Sequence, residues 1–173
     1  MGLVITDYDF DEGKYVINDN DITRHDLKEY INDYERKFIY QLLGIELGDL
    51  FIADLNQDAK IPTTPRFAKI FSPLYFKHGS YCNRIVQSKG MIDVLKGLVY
   101  TEFVKEQNFK NNFNGNSQNL FESGENVPAY KNGVIIKHNQ ALDSYNAIQQ
   151  YICDNKEDYP EFDGERKNYM SPF

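Results

Sequence analysis

The sequence predicts a mainly α-helical fold: a small helical bundle with extended N- and C-terminal arms and an irregular insertion rich in proline and aromatic residues. Three observations predict it. Met91, Leu95, Leu98 and Glu102, flanked by Ile92, Val99 and Phe103, recur every three or four residues, the spacing that gathers side chains on one helix face. Leu142, Tyr145, Ile148 and Ile152 repeat the pattern later in the chain, and Leu27, Ile31, Tyr34, Phe38 and Leu42 set it out earlier. The length of 173 residues suits one domain with a real core and is short for two.

Taken in order, residues 1–22 read as an N-terminal arm. Asp7, Asp9, Asp11, Glu12, Asp19 and Asp21 interleave with Tyr8, Phe10, Tyr15, Val16 and Ile17 without helical period, as in a segment laid over a surface or paired at an edge. A helical domain follows over 23–154. Its first helix starts near Thr23, where Thr23 and Asp26 can cap, and runs through Leu43; Gly44 is the stop, because glycine takes the left-handed conformation past a helix end. A shorter helix is expected from Ile45 to Leu55, with Leu47, Leu50 and Phe51 inward.

From Asn56 to Arg84 the period breaks. Pro62, Pro65 and Pro73 punctuate Phe67, Phe71, Tyr75 and Phe76, which predicts short strands or an irregular loop packed on the helices. A third helix is read from an N-cap at Ser88 to Gln107, with Lys89 and Asp93 as an exposed ion pair and Gly90 and Gly97 permitting close approach of a neighbour. The Asn-, Ser- and Gly-rich stretch after it reads as an exposed loop. A last helix runs from about Pro128 to Asp154, packing through Val134, Ala141, Tyr145, Ile148 and Ile152, its start weakened by Gly133. Residues 155–173 are acidic and aromatic without period, a second arm.

Composition narrows the function. Thirteen Tyr and twelve Phe stand against no Trp, a balance that fits surfaces buried on association as well as an aromatic-rich core. A net charge of −7 without a cluster of Lys and Arg disfavours sequence-specific nucleic-acid binding. Cys82 and Cys153 are far apart and form no CxxC pair, as expected of reduced thiols. No apolar run approaches the roughly 20 residues that span a bilayer, and the start carries no signal-peptide pattern, so a soluble protein made in the cytoplasm is expected.

No catalytic, cofactor-binding or metal-ligating constellation is read. Asp7, Asp9 and Asp11 have the alternate spacing of calcium ligands, but the sixth and twelfth positions of an EF-hand loop would be Glu12 and Asn18, where glycine and an acid are needed. His25, His78 and His138 lie in separate segments without the spacing of a zinc enzyme motif. An enzyme would require a pocket that gathers one of them with distant carboxylates.

Four runs in order, YERKFIYQLLGIELGDLF (Tyr34 to Phe51), QSKGMIDVLKGLVYTEFV (Gln87 to Val104), NQALDSYNAIQQYI (Asn139 to Ile152) and YPEFDGE (Tyr159 to Glu165), resemble the head-tail connector, or neck adaptor, proteins of tailed bacteriophages, in particular the crAss-like group. The resemblance implies a virion protein whose copies close into a ring, commonly of twelve, below the portal. Such a ring extends the DNA channel and offers a platform to tail or other neck proteins, with DNA passing through the lumen without sequence-specific binding. It further implies that the third and last helices form the wall and that the arms dock on partners. The aromatic residues expected at those contacts are Tyr8, Phe10, Tyr15, Tyr159, Phe162, Tyr169 and Phe173, and replacing those of the tail with alanine is expected to impair assembly while leaving the monomer folded. The family's helix is expected to be continuous where Pro128 and Gly133 interrupt this one. The alternative is a small intracellular protein-binding or regulatory module, its acidic arm mimicking a polyanion.

Overall fold

Five helices and one β-hairpin surround a single aromatic and aliphatic core in the computed structural model, which describes residues 2–17, 21–56, 58–79, 84–113 and 129–170. In chain order a 3-10 turn over Asp7–Phe10 precedes α1 (Asp21–Leu43), α2 (Ile45–Asp54), α3 (Pro65–Phe71), β1 (Leu74–His78), β2 (Arg84–Ser88), α4 (Met91–Phe113) and α5 (Ala129–Asp154). Among these, α4 and α5 form the most extensively packed pair, α1 lies against α4, and the hairpin covers part of α5.

The helical period of α1 translates into burial. Leu27, Ile31, Phe38 and Leu42 are buried and Tyr34 packs against them, its ring stacked on Tyr30, which meets Phe103 of α4 edge-on at 5.4 Å between centroids. The helix begins at Asp21, ahead of the expected start; the Thr23 cap lies outside what the structure describes, and Asp26 accepts a hydrogen bond from Gln107 Nε2 of α4. Gly44 ends α1 as expected, at φ 87°, and a side chain there would also strike the backbone of Asp163, 2.8 Å away.

α2 carries a correction. Leu47 and Phe51 face inward, whereas Leu50 is 43% exposed, because the helix is turned to bring Gly48 onto its buried arc against the Tyr40 ring. The Pro-rich insertion contains the expected short strands and also a helix that sequence reasoning missed. Pro65 occupies the first turn of α3, where its missing N–H costs nothing. Ahead of it the Asp54 carboxylate accepts hydrogen bonds from the Thr63 and Thr64 N–H groups, both at 2.8 Å, and from both threonine hydroxyls.

β1 and β2 pair antiparallel from Leu74 with Ser88 to His78 with Arg84. Their inner face meets α5, with Phe76 edge-on to Tyr151 at 5.3 Å and His78 Nδ1 at 2.8 Å from Asp154. Ser88 is therefore a strand residue, not the N-cap of α4: its Oγ accepts from the Gly90 N–H, and the helix starts at Met91. Asp93 meets Lys14 at 3.0 Å rather than Lys89.

Met91, Leu95, Leu98, Val99 and Phe103 are buried on α4, while Ile92 turns outward. At Gly97 the expected close approach occurs: an added Cβ would overlap Ala141 Cβ of α5 and lie 2.6 Å from the Tyr15 hydroxyl. α5 runs unbroken through Gly133 and buries Ala141, Leu142, Tyr145, Ile148 and Ile152. α4 continues past Gln107 to Phe113, so the first residues of the Asn-rich stretch are helix rather than loop, and the rest of it, with Pro128, lies outside the described residues.

Both terminal segments lack long regular structure yet are built into the domain. Val4, Ile5, Phe10 and Tyr15 from the first and Tyr159 from the second belong to the same buried cluster as the helices. Burial of Ile5, Phe10, Tyr15 and Tyr159, with Val4 nearly fully buried beside them, ties these segments to the bundle far more strongly than a surface arm requires.

Candidate functional site

The strongest convergence of polar groups lies where α1 ends. Its last carbonyls have no partner within the helix. Side chains of α5 and the backbone of the C-terminal segment supply them. The Tyr145 hydroxyl lies 2.6 Å from Gln41 O and 2.5 Å from Glu165 O, Gln149 Nε2 donates to Leu42 O and to Glu165 O at 3.0 Å, and the Glu165 N–H donates to Gln41 O at 2.7 Å. Burial, with the charge of Glu165, pushes the Tyr145 phenol above its ordinary value, so it stays a hydrogen-bond donor. This node fixes residues 160–165 alongside the α1–α2 turn.

Between them runs an open groove. Asp33, Glu46, Glu161, Asp163 and Glu165 line it against Arg36 and Lys37, so carboxylates outnumber cations there by five to two. Glu161 is held by Arg66 at 3.3 Å. Ile45, on the rim, is 70% exposed. The arrangement suits a cationic surface with an apolar residue at its centre.

A second exposed face lies on the hairpin. The strand alternation that turns Phe76 inward puts Tyr75, Lys77, Ile85 and Gln87 outward, and Tyr75 and Ile85 are 69% and 71% exposed. Lys77 is the cation of this face, and the sequence signal for its segment is charge, although Lys60 and Arg66 engage Gly2 O and Glu161 elsewhere. Residues 59–92 contain six Lys and Arg and no Asp or Glu, which leaves a net of −13 on the rest of a chain whose total is −7.

The seven aromatic residues expected at partner contacts separate into groups. Phe10, Tyr15 and Tyr159 are core residues of the protomer, a correction that follows from their near-complete burial; the Tyr159 hydroxyl donates to Arg66 O at 2.6 Å. Phe162 is half-buried against the core beside the groove. Tyr8 is exposed, with the Arg24 guanidinium over its ring, and Tyr169 is exposed with its hydroxyl 2.9 Å from Asp143. Phe173 and Cys82 lie outside the described residues; Cys153 is an exposed thiol.

The remaining polar candidates disperse. Asp7 and Asp11 share Arg24 at 3.3 and 2.9 Å, and Asp9 accepts from the N–H and hydroxyl of Thr6, so all three carboxylates are engaged by protein groups. Among the described residues no cluster of three His, Cys, Asp or Glu side chains forms a metal site, and no helix is long and apolar enough to cross a membrane. His25 pairs with Glu29 on the surface, and His78 locks β1 to α5.

His138 is buried with Nδ1 unpartnered, and burial, assisted by Lys105 and Lys167 and opposed by Glu102, lowers its pKa to about 4 from the ordinary 6.5. The folded state thus favours the neutral ring. Its contribution is complete above pH 6.5 and is lost as pH falls through 4, a difference of up to about 3 kcal/mol. Urea unfolding at pH 7, 5.5 and 4.5 is expected to show a steeper acid loss in the wild type than in His138→Leu; parallel pH curves would show that the ring gains its proton without unfolding.

No protein-family model, curated protein or solved structure matches the chain.

Proposed function

We propose that the chain is the subunit of a connector ring in the neck of a tailed bacteriophage virion of the crAss-like group, joining the portal at the capsid vertex to the tail and extending the DNA channel. One observation carries the reading. Three of the four runs that resemble connector proteins meet at a single place: Gln41 and Leu42 from the first, Tyr145 and Gln149 from the third and Glu165 from the last share the node that ends α1, while α4 from the second packs along α5. The first and last of them line the groove, a ready surface for a neighbouring subunit.

In this reading copies associate head to tail, commonly twelve to a ring, between the portal protein above and tail or other neck proteins below. The protein is made in the bacterial host cytoplasm and acts in the virion. An overall negative charge keeps the genome from adhering as it passes. Mass-resolved sizing of the purified chain, alone and with the portal protein encoded near it, tests the proposal. A ring-sized oligomer, formed alone or nucleated by the portal, is the expected result; a monomer that ignores the portal overturns it.

A second reading, a small intracellular protein-binding module, is favoured by the packing of both terminal segments onto their own core, which makes the protomer self-contained. A monomer that captures a single host protein through the groove would establish it.

A further inference from the structure

The groove and the outer face of the hairpin complement one another, but they cannot meet within one protomer. Tyr145 and Gln149 of α5 face the node and the groove, whereas Tyr151 and Asp154 meet Phe76 and His78 of the hairpin. At 100° per residue, Gln149 and Tyr151 project about 160° apart around the axis of α5. The two exposed faces therefore lie on opposite flanks of that helix.

Their chemistry is matched. The hairpin offers Tyr75 and Ile85 beside Lys77 and Gln87, with no acidic residue between 59 and 92. The groove offers exposed Ile45 among Glu46, Asp33, Asp163 and Glu165. Exposed apolar groups beside opposite charge are the pattern of a specific contact, in which the apolar groups supply affinity and the charges set orientation.

We infer that the outer face of the β1–β2 hairpin of one copy docks into the α1–α2 groove of the next, so that the occupant of the groove is a second copy of this chain. The inference rests on the ring-forming reading and specifies its contact. Because the two faces differ, the contact is heterologous, and its repetition closes a ring when the rotation per copy divides a full turn.

Two charge-altered variants test it, Lys77→Glu with Gln87→Glu on the hairpin's outer face, and Glu46→Lys with Asp163→Lys in the groove. All four residues are exposed, and unfolding midpoints measured first should match the wild type. Sizing by sedimentation then compares each variant alone, the equimolar mixture, and the wild type, with and without portal protein and at 50 and 500 mM salt. The wild type is expected to associate, less at high salt. Each variant alone should lose at least tenfold in association, and the mixture should regain it, because the reversed hairpin fits the reversed groove and the two native faces still fit one another.

If the hairpin variant assembles like the wild type, this contact is wrong while the ring stands. Two monomeric variants whose mixture does not recover show that the faces do not meet. A wild type that stays monomeric even with the portal overturns both the contact and the ring. Loss of duplex DNA binding in the hairpin variant, with self-association intact, reassigns the hairpin to nucleic acid.

Discussion

Tyr159→Ala is expected to lower the free energy of unfolding by about 3–5 kcal/mol, the cost of truncating a large aromatic side chain in a packed core. The ring is fully buried beside Tyr151, and its hydroxyl supplies the Arg66 carbonyl at 2.6 Å. A typical domain has only about 5–15 kcal/mol in total. Tyr169→Ala, in the same segment, removes an exposed ring and two exposed hydrogen bonds, to Asp143 and from Asn146, so its expected cost is below about 1 kcal/mol. Urea denaturation of the two variants separates a core role from a docking role. Equal losses would mean that Tyr159 acts at the surface, as the sequence pattern had placed it.

The second large effect is expected at Glu35. Its carboxylate is buried in α1 and accepts hydrogen bonds from the N–H groups of Leu3, Val4 and Ile5, those of Val4 and Ile5 both at 2.7 Å. Burial raises its pKa, and the three donors, with Lys60, pull it back. Lys60 also reaches Gly2 O at 2.9 Å. Glu35→Leu leaves three buried donors without an acceptor at about 1–3 kcal/mol each, offset in part by relief of a desolvated charge, for an expected net loss of about 3 kcal/mol or more.

Glu35→Gln provides a graded control. Its carbonyl oxygen can keep the two donors that share Oε1, while its amide faces the third as donor against donor, so an intermediate loss is expected. Limited proteolysis should cut within residues 2–17 of the Leu variant long before the wild type. A Leu variant within 1 kcal/mol of wild type would show that the segment is held by Ile5 and Phe10 alone.

What the sequence made legible is what repeats. The faces of α1, α4 and α5 were readable because burial on a helix forces apolar residues into a 3.6-residue period, and Gly44 was readable because few other residues take its backbone angle. The terminal segments carry no period. Their burial depends on one carboxylate 30 residues away and on a hydroxyl reaching Arg66, neither of which leaves a local trace. Ser88 looked like a cap because serine before an amphipathic run is the usual signal, yet the same hydroxyl serves a turn between strand and helix.

Prolines misled in the opposite direction. Pro65 was read as a break in regular structure, although it begins α3, and the hairpin that follows was anticipated only as short strands or loop. The candidate site shows the same division. The buried part of the node is tertiary, since Tyr145 and Gln41 are 104 residues apart. The hairpin face, by contrast, was written in the charge pattern of residues 59–92 and needed the strand register to show which side chains it presents.

The node at the end of α1 also bears on vectorial synthesis. Leu43 leaves the ribosome 122 residues before Glu165, and the groups that satisfy the carbonyls of Gln41, Leu42 and Leu43 come from residues 145 to 165. At about 5–20 residues per second, the first helical hairpin waits roughly 6–24 s for its closing partners. During that interval the apolar faces of α1 and α2 stand open to chaperones and to other nascent chains, and the final latch closes only once Glu165 has emerged.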